Sequence, residues 1–402
     1  MLNRQRFATL PRRTPTHVHL LVGMILLTAL NTFTYADDEV SVTTMRAPNG
    51  GIQPQVTVDD RGAIHMIYFV GSVRAGDVLY MRSTDDGETF TPAIRVNSQP
   101  GSAIALGTVR GPQLAVGRRG RAHVVWMGSK QAEPKGPDNE TPLLYARLNN
   151  EQDAFEPQRN IIQRQPGLDG GCAVAADGGG NVYVAWHAPR TQKHSEQDRW
   201  VWVARSTDDG ETFSVEEAAN TEPTGACGCC GMSAFADADG SLYILYRSAQ
   251  AVVNRDMYLL TSSDRGSSFE SKKLHVWNVG QCVMSSAAFA PSAGQVLAAW
   301  ETKRQVYFAK MDPAAKTVTE PVAAPGRGPN RKFPAVASND RGEVILAWTE
   351  GTSFGKGGSV AWQVYDVNGS PIPEARGSAD DLPAWDCVAV FAAADGSFRV
   401  VY

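Results

Sequence analysis

The eight residues Ser83-Thr84-Asp85-Asp86-Gly87-Glu88-Thr89-Phe90 recur unchanged at positions 206–213, and a looser copy, SSDRGSSF, occupies positions 262–269. The shared pattern is S-x-D-x-G-x-[TS]-F, and each copy follows a short apolar run typical of a β-strand. The Asp carboxylate can accept hydrogen bonds from its own turn, and the Gly supplies a left-handed backbone angle. The pattern therefore predicts three equivalent turns. The residues expected to have this structural role are Asp85, Gly87, Asp208, Gly210, Asp264 and Gly266.

A longer repeat extends over the rest of the chain. Seven times a short apolar strand, a polar turn and a second strand follow one another, at intervals of about 50 to 60 residues. Each second strand ends near an aromatic residue, and these residues are Tyr68, Trp126, Trp186, Tyr246, Trp300, Trp348 and Tyr402. Paired strands at this interval, without helical periodicity, predict an all-β propeller with four-stranded blades.

The number of strand pairs favours seven blades. Six of the pairs are followed by a second pair, which carries the turn signature or a degenerate form of it. The seventh pair ends the chain, so the last blade is incomplete. The segment 39–45 alternates like a strand and has no blade of its own. We expect it to join the last blade and close the ring. Six blades are the alternative.

The first 36 residues have the features of a secretory signal peptide. Arginines at positions 4, 6, 12 and 13 precede an apolar run at 20–30, and Thr34-Tyr35-Ala36 provides the small residues of a cleavage site. The apolar run is too short to span a membrane. We therefore expect an exported protein, periplasmic or secreted. Its mature part, residues 37–402, would be a monomeric propeller without an integral membrane segment.

The charge of the chain argues against nucleic acid as a partner. The full sequence has 38 basic and 42 acidic residues, and removal of the leader arginines makes the mature chain more acidic still. A chain with this balance is not attracted to polyanions. The expected ligand is instead a glycan or another protein.

The repeated turn resembles the Asp-box, the bacterial neuraminidase repeat of the sialidase superfamily, with Phe in place of the usual Trp. The resemblance covers the scaffold of nearly the whole mature chain and implies a propeller that recognises or processes glycans. Members of that family begin their first blade with an Arg-Ile-Pro motif, whose Arg helps to hold the sialic acid carboxylate. The corresponding segment here is IQPQV at 52–56, where Gln53 or Ile52 takes the place of that Arg. The resemblance therefore does not reach the catalytic residues.

Propeller geometry places the loops before the first strand and after the second strand of each blade on one face, opposite the signature turns. Guanidinium groups bind carboxylates with two hydrogen bonds, and paired carboxyl groups can do acid and base work on a glycosidic bond. The ligand-binding candidates in these loops are Arg46, Arg110, Arg247, Arg331, His187 and Trp385. The catalytic candidates are Glu301, Glu350 and Asp386. The alternative is that they are ordinary solvated loop residues.

All six cysteines lie at or just before the first strand of a blade, namely Cys172, Cys227, Cys229, Cys230, Cys282 and Cys387. In an exported chain they are expected to form up to three disulfides between neighbouring loops. The alternative is a thiolate site for a soft metal, copper or zinc, formed by all of them except Cys387. Because adjacent cysteines rarely bond to each other, Cys229 and Cys230 are expected to have different partners.

Three functions follow as hypotheses. The first is recognition or processing of a glycan or other extracytoplasmic ligand, whose enzymatic form is a sialidase-type glycoside hydrolase acting on acidic sugars. The second is a purely protein-binding propeller. The third is a propeller that carries a cysteine-ligated metal. The missing family Arg weakens the hydrolase hypothesis, and the clustering of the cysteines favours the third.

Overall fold

The computed structural model describes residues 40–191, 195–251 and 253–402. The expected signal peptide, residues 1–36, lies outside the described residues. Seven sheets follow one another along the chain; six are antiparallel, and the last contains one parallel pair. No helix in the described part of the chain is long and apolar enough to cross a membrane. Short 3-10 turns lie at Pro48–Gly50, Arg118–Gly120, Pro137–Asn139 and Glu196–Asp198.

The first strand, β1 (Val42–Met45), belongs to the last blade, and each of blades 1, 2, 3, 4 and 6 takes four consecutive strands. Blade 1 contains β2 (Ile52–Val58), β3 (Ile64–Ser72), β4 (Ala75–Ser83) and β5 (Ile94–Arg95). Blade 2 contains β6 (Gln113–Val116), β7 (Ala122–Met127), β8 (Leu143–Arg147) and β9 (Arg159–Asn160). Blade 3 contains β10 (Ala173–Ala176), β11 (Val182–Pro189), β12 (Arg199–Ser206) and β13 (Glu217–Ala218).

The remaining blades repeat this order, with one extra strand in the fifth. Blade 4 contains β14 (Ser233–Ala236), β15 (Leu242–Arg247), β16 (Met257–Ser262) and β17 (Glu270–His275). Blade 5 contains β18 (Ala287–Ser292), β19 (Gln295–Thr302), β20 (Gln305–Asp312), β21 (Thr317–Val318) and β22 (Val322–Ala323). Blade 6 contains β23 (Lys332–Ser338), β24 (Val344–Glu350), β25 (Gly358–Tyr365) and β26 (Pro371–Leu382). Blade 7 contains β27 (Ala389–Ala392), β28 (Phe398–Val401) and β1.

The blades form a closed ring around a central channel. The first strand of each blade contacts the first strands of both neighbours, and β27 contacts β2 to complete the circuit. β1 pairs in parallel with β28, so that Val42 lies opposite Phe398. The prediction of seven blades closed by the N-terminal strand is confirmed. The six-bladed alternative is wrong because all seven strand pairs form sheets of their own.

The hydrophobic core lies between the faces of adjacent blades. Trp186 of blade 3, for example, belongs to one apolar cluster with Val125 and Tyr145 of blade 2. The seven aromatic residues predicted at the ends of the second strands are all at most 8% exposed. Burying an aromatic side chain stabilises a fold by roughly 1.5–3 kcal/mol. The contact between blades therefore supplies much of the stability of the ring.

The three signature copies form nearly identical turns between the third and fourth strands of their blades. In the first copy, Asp85 accepts a hydrogen bond from the Thr89 backbone N–H at 3.0 Å, and Ser83 Oγ accepts one from the Gly87 N–H at 2.9 Å. The same bonds recur around Asp208 and Asp264. This matches the predicted structural role of the Asp and Gly residues.

The aromatic residue that ends the signature packs against the neighbouring blade. Phe213 of blade 3 meets the ring of Tyr145 in blade 2 edge-on, with 5.0 Å between the ring centroids. The turn projects beyond its sheet, so its aromatic residue reaches the neighbouring blade. The signature therefore connects successive blades.

Candidate functional site

A cavity of about 440 Å³ opens at the end of the channel opposite the signature turns. Its walls come from loops that lead into first strands and from loops that follow second strands, which is the face expected for ligand binding. Blades 4 to 7 contribute most of the lining.

Several residues of the cavity wall have a left-handed backbone that is normally reserved for glycine. They are Thr108 (φ 64°), Met284 (φ 46°), Arg304 (φ 63°), Asn330 (φ 51°), Phe333 (φ 49°) and Trp385 (φ 72°). Arg304 owes this angle to the two-residue turn between β19 and β20. For the others, a left-handed angle costs of order 1–3 kcal/mol each, and such residues cluster at functional sites. This concentration marks the cavity as a candidate site.

Aromatic side chains form one wall of the cavity. Phe354 and Trp385 meet edge-on with ring centroids 4.6 Å apart, and Phe354 is 65% exposed although it is apolar. Trp277 lines the cavity from blade 4. Ligand sites typically combine such apolar surfaces with a few oriented polar groups.

The polar groups at the base of the cavity include Glu301, which is 1% exposed and has an Oε2 atom without a hydrogen-bond partner. Burial raises the pKa of its carboxyl group, although the positive charges of Lys332 and Arg247 oppose that shift. Arg247 is itself buried, donates to the Glu301 carbonyl and donates to Ser285 Oγ at 3.0 Å. A carboxyl group and two cations therefore meet under the cavity.

Asp386 lies beside this wall but holds the backbone instead of facing the cavity. Its Oδ1 accepts the N–H of Gln53 at 2.6 Å and that of Cys387 at 2.8 Å. Burial raises the pKa of Asp386 to about 6. Gln53 donates its side-chain amide to the carbonyls of Ala105 and Trp385. Asp386 therefore joins the last blade to the first.

The other predicted residues are engaged with neighbouring loops. Arg331 pairs with Glu350 at 2.8 Å, and Glu350 also accepts the indole N–H of Trp348 at 2.8 Å. Arg110 pairs with Asp169 at 3.0 Å. Each of these two guanidinium groups is therefore paired with a carboxylate of a neighbouring loop.

Arg46 and His187 also lie outside the cavity lining. Arg46 is exposed and donates to the carbonyls of Asp380 and Asp381. His187 is 1% exposed, and neither of its ring nitrogens has a hydrogen-bond partner among the described residues. Burial lowers the pKa of His187 to about 3, so its ring is neutral at neutral pH.

Four of the cysteines converge at the edge of the cavity. Cys229 forms a disulfide with Cys282, and Cys282 lines the cavity. The sulfur atoms of Cys227, Cys229 and Cys230 all lie within 4.8 Å of one another, so these residues could hold a metal ion.

One disulfide forms among the described residues, within the upper limit of three that the sequence predicted. Two cysteines lie outside the sulfur group. Cys172 is separated from the sulfur group because its side chain packs in the core with Trp186, and Cys387 is buried with Val109 and Phe333. Cys229 is bonded to Cys282 and not to Cys230, which is a free thiol hydrogen-bonded to Cys227.

The two free thiols of this group, Cys227 and Cys230, differ in the direction in which their pKa is shifted. Burial opposes ionisation of Cys230, but a hydrogen bond with Cys227 and the charge of Arg247 outweigh it and lower the pKa of Cys230. The hydrogen bond with Cys230, followed by burial, raises the pKa of Cys227. A thiolate in this pair is therefore carried by Cys230, close to a cation.

The lining residues that were not identified from the sequence include Trp277, Arg304 and Phe354. Trp277 precedes β18, and the other two follow second strands. The rule that selected the predicted residues therefore includes these positions as well. If this rule had been applied to aromatic as well as charged residues, and to every position of each loop, it would have identified these three residues.

Comparison with known proteins supports the architecture. No protein-family model and no curated protein sequence matches the chain. A Dyadobacter fermentans protein of unknown function is similar in structure, with TM-score 0.52 and 14% identity over 78% of this chain and 94% of that one. A variant of a Fusarium graminearum α-L-arabinofuranosidase has TM-score 0.52 and 10% identity over 79% of this chain and 93% of that one.

The sialidase of Trypanosoma rangeli, solved with the inhibitor DANA, has TM-score 0.50 and 13% identity over 79% of this chain and 56% of that one. The chain has a sialidase-like β-propeller fold. At these identities the likeness concerns the sialidase-like propeller itself and does not extend to the residues of the cavity.

Proposed function

We propose that this sialidase-like propeller binds a carbohydrate, preferably one with an acidic group, in the cavity at the channel mouth. The observation that carries the proposal is the pair formed by the exposed Phe354 and the half-buried Trp385, which line the same cavity as Glu301 and Lys332. An aromatic face suits the apolar face of a sugar ring, and a cation suits a sugar carboxylate.

Two further observations support a carbohydrate ligand. Two of the structural neighbours are a sialidase and an arabinofuranosidase, both solved with inhibitors. The three signature turns have the residues of the Asp-box, and we assign them to that repeat. Both observations favour a carbohydrate as the ligand.

Recognition is favoured over hydrolysis. Glycosidases place two carboxyl groups on either side of the scissile bond, about 5–9.5 Å apart. Among the described residues that line the cavity, Glu301 is the only carboxyl group. In the segment that resembles the family's Arg-Ile-Pro motif, Gln53 or Ile52 takes the place of the Arg, and Gln53 is bonded to backbone carbonyls. We therefore expect weak or absent release of sialic acid from simple sialosides.

Titration with acidic and neutral oligosaccharides, followed by calorimetry, tests the binding. We expect acidic sugars to bind, and Trp385→Ala to weaken binding about tenfold, which corresponds to roughly 1.4 kcal/mol. Trp200→Ala is the matched control, because Trp200 is half-buried under Arg190 and does not line the cavity. Equal affinities of the Trp385→Ala variant and the wild type would contradict this site.

A second candidate function is the binding of a soft metal, copper or zinc, by Cys227, Cys229 and Cys230. The close approach of three sulfur atoms favours it, and thiolates are ligands that both metals prefer. Because Cys229 is engaged with Cys282, we expect metal to bind only after reduction. Metal analysis of the reduced protein should give one ion per chain, lost in Cys230→Ser and kept in Cys172→Ala.

A further inference from the structure

The four cysteines at the cavity are arranged in two layers. The outer layer is the Cys229–Cys282 disulfide, in which Cys282 is exposed and Cys229 is half-buried. The inner layer consists of Cys227 and Cys230, both of which are free thiols and buried. A disulfide that solvent can reach is thus backed by two thiols that solvent cannot reach.

The sulfur atoms of the two layers are in contact. Cys227 Sγ lies 3.4 Å from Cys229 Sγ and 3.0 Å from Cys230 Sγ. The Cys230 N–H donates to the Cys227 carbonyl at 3.2 Å, so a tight turn holds the two inner thiols side by side. Cys227 can therefore reach an outer sulfur and an inner sulfur without a large movement of the chain.

We propose that these four cysteines carry out an internal thiol–disulfide exchange, which moves the disulfide from Cys229–Cys282 to Cys227–Cys230 and frees the thiol of Cys282 at the cavity. Thiol–disulfide exchange requires a thiolate within reach of a disulfide sulfur. Cys227 is placed to attack Cys229, and Cys230 is placed to complete the transfer.

The exchange takes two steps and is balanced without an external oxidant or reductant. In the first, the proton of Cys227 passes along its hydrogen bond to the sulfur of Cys230, and the freed Cys227 sulfur attacks Cys229 Sγ. The bond to Cys282 breaks, and Cys282 leaves as a thiolate that takes up this proton. In the second, the thiolate of Cys230 attacks Cys227 Sγ, and Cys229 leaves as a thiolate that is then protonated. One disulfide and two thiols are present before and after.

The exchange changes what holds the cavity together. The Cys229–Cys282 disulfide connects residues 53 positions apart, in the loops before β14 and β18. A Cys227–Cys230 disulfide lies within a single loop. After exchange, the segment containing Cys282, Val283 and Met284, which lines the cavity, no longer has a covalent link to the loop before β14. The position of the disulfide therefore controls both a reactive thiol and the freedom of one cavity wall.

Alkylation of the folded, full-length protein tests the proposal. The protein is incubated with N-ethylmaleimide and a chelator, without reductant, and acid-quenched samples are mapped by peptide mass spectrometry. All free cysteines are buried at the start. We expect maleimide to accumulate on Cys282, with a Cys227–Cys230 disulfide appearing in the same molecules. A wild-type protein that keeps its Cys229–Cys282 disulfide and leaves Cys282 unlabelled overturns the proposal.

Three variants separate the steps. Cys227→Ser should slow the labelling of Cys282 at least about tenfold, because the attacking sulfur is gone. Cys230→Ser should still release Cys282 but trap a Cys227–Cys229 disulfide. Cys172→Ala, which removes a buried thiol outside the group, should label like the wild type. Labelling of Cys282 at the wild-type rate in Cys227→Ser would overturn the exchange.

The inference is independent of both proposed functions. The chelator removes any metal and no sugar is present, so failure of the exchange leaves the metal and glycan proposals standing. Loss of metal binding, or of sugar binding, with labelling of Cys282 intact would contradict only those proposals.

Discussion

Asp386 shows how one buried carboxyl group connects distant parts of the chain. Its Oδ1 accepts two backbone N–H groups, one from each side of the seam between the last and first blades, while its Oδ2 has no partner. The Gln53 backbone that it fixes is left-handed, with φ 54°. A side chain at Gly111 would collide with Gln53 Oε1, so the second blade is also fitted to this residue.

The raised pKa of Asp386 predicts a distinct pH dependence of stability. Its pKa is about 6 in the folded protein, above the ordinary value of 3.8, so the folded state binds the proton more tightly than the unfolded state. Stability should therefore fall as the pH rises from about 4 to about 6, by up to about 3 kcal/mol. Asp386→Asn keeps the Oδ1 acceptor and does not titrate. Urea unfolding at pH 4 and pH 7 should show a loss that is larger in the wild type than in Asp386→Asn by this amount.

The pKa of a signature aspartate is shifted in the opposite direction to that of Asp386. Hydrogen bonds within the turn, led by the one from the Thr89 hydroxyl, lower the pKa of Asp85 to about 2. A depressed pKa contributes stability that is lost as the pH falls below about 4. The two effects thus occupy different pH ranges. The same pH dependence between pH 4 and 7 in wild type and Asp386→Asn would refute the assignment to Asp386.

At the level of elements, each signature turn rests on the blade before its own. In blade 3, Asp209 pairs with Arg121 of blade 2 at 2.8 Å, and Arg147 of blade 2 donates to the Asp209 carbonyl at 2.8 Å. The φ of Gly210 is +77°, and a Cβ there would collide with the Tyr145 hydroxyl. The glycine of the signature is thus required by its backbone angle and by its close neighbour.

Alanine substitutions should separate these two requirements. Gly210→Ala suffers both the left-handed angle and the collision, so we expect a loss of about 2–4 kcal/mol in the free energy of unfolding. Gly62→Ala has φ +79° with nothing near its Cβ, and should lose about 1–2 kcal/mol. Gly178 has neither constraint, and Gly178→Ala should be nearly neutral. Urea denaturation gives all three values. A Gly210→Ala loss no larger than that of Gly62→Ala would contradict docking on Tyr145.

Features that follow from local patterns could be predicted from the sequence, whereas contacts between distant loops could not. The strand pairs, the signature turns and the aromatic residues follow local patterns that repeat in every blade, so the architecture could be derived from one chain. The engagement of Arg331 with Glu350, and of Arg110 with Asp169, depends on which loops meet in space. Nothing local in the sequence distinguishes an arginine held by a neighbouring loop from one that faces a ligand.

At the scale of the whole molecule, the ring is closed without a covalent bond between its ends. β1 adds to β28 as the outer strand of blade 7, and the Ala47 N–H donates to the Tyr402 carbonyl at 3.0 Å. The Tyr402 N–H donates back to the Met45 carbonyl at 3.1 Å, and the Phe398 N–H donates to the Ser41 carbonyl at 2.9 Å. Closure at one seam converts seven separate sheets into one cooperative unit.

These bonds predict how the ring can be weakened at its seam. In a parallel pair, alternate residues direct both backbone groups to the same partner strand. Residues 41, 45 and 47 bond toward the last strands, so Thr43 should face β28 and Thr44 should face away. Proline removes the N–H. Thr43→Pro should therefore lower the free energy of unfolding by about 1–3 kcal/mol, the cost of losing a hydrogen bond in a sheet.

Thr44→Pro is the matched control, since both threonines are exposed and only the direction of the N–H differs. Both variants should keep a single unfolding transition if the seam and the other blades unfold together, and a differential scanning calorimeter reports both quantities. Because blades 1 to 6 do not contain β1, a seam that is independent of them would instead melt separately in Thr43→Pro and leave the main transition in place. Equal destabilisation by the two prolines would show that β1 is held by something other than its ladder to β28.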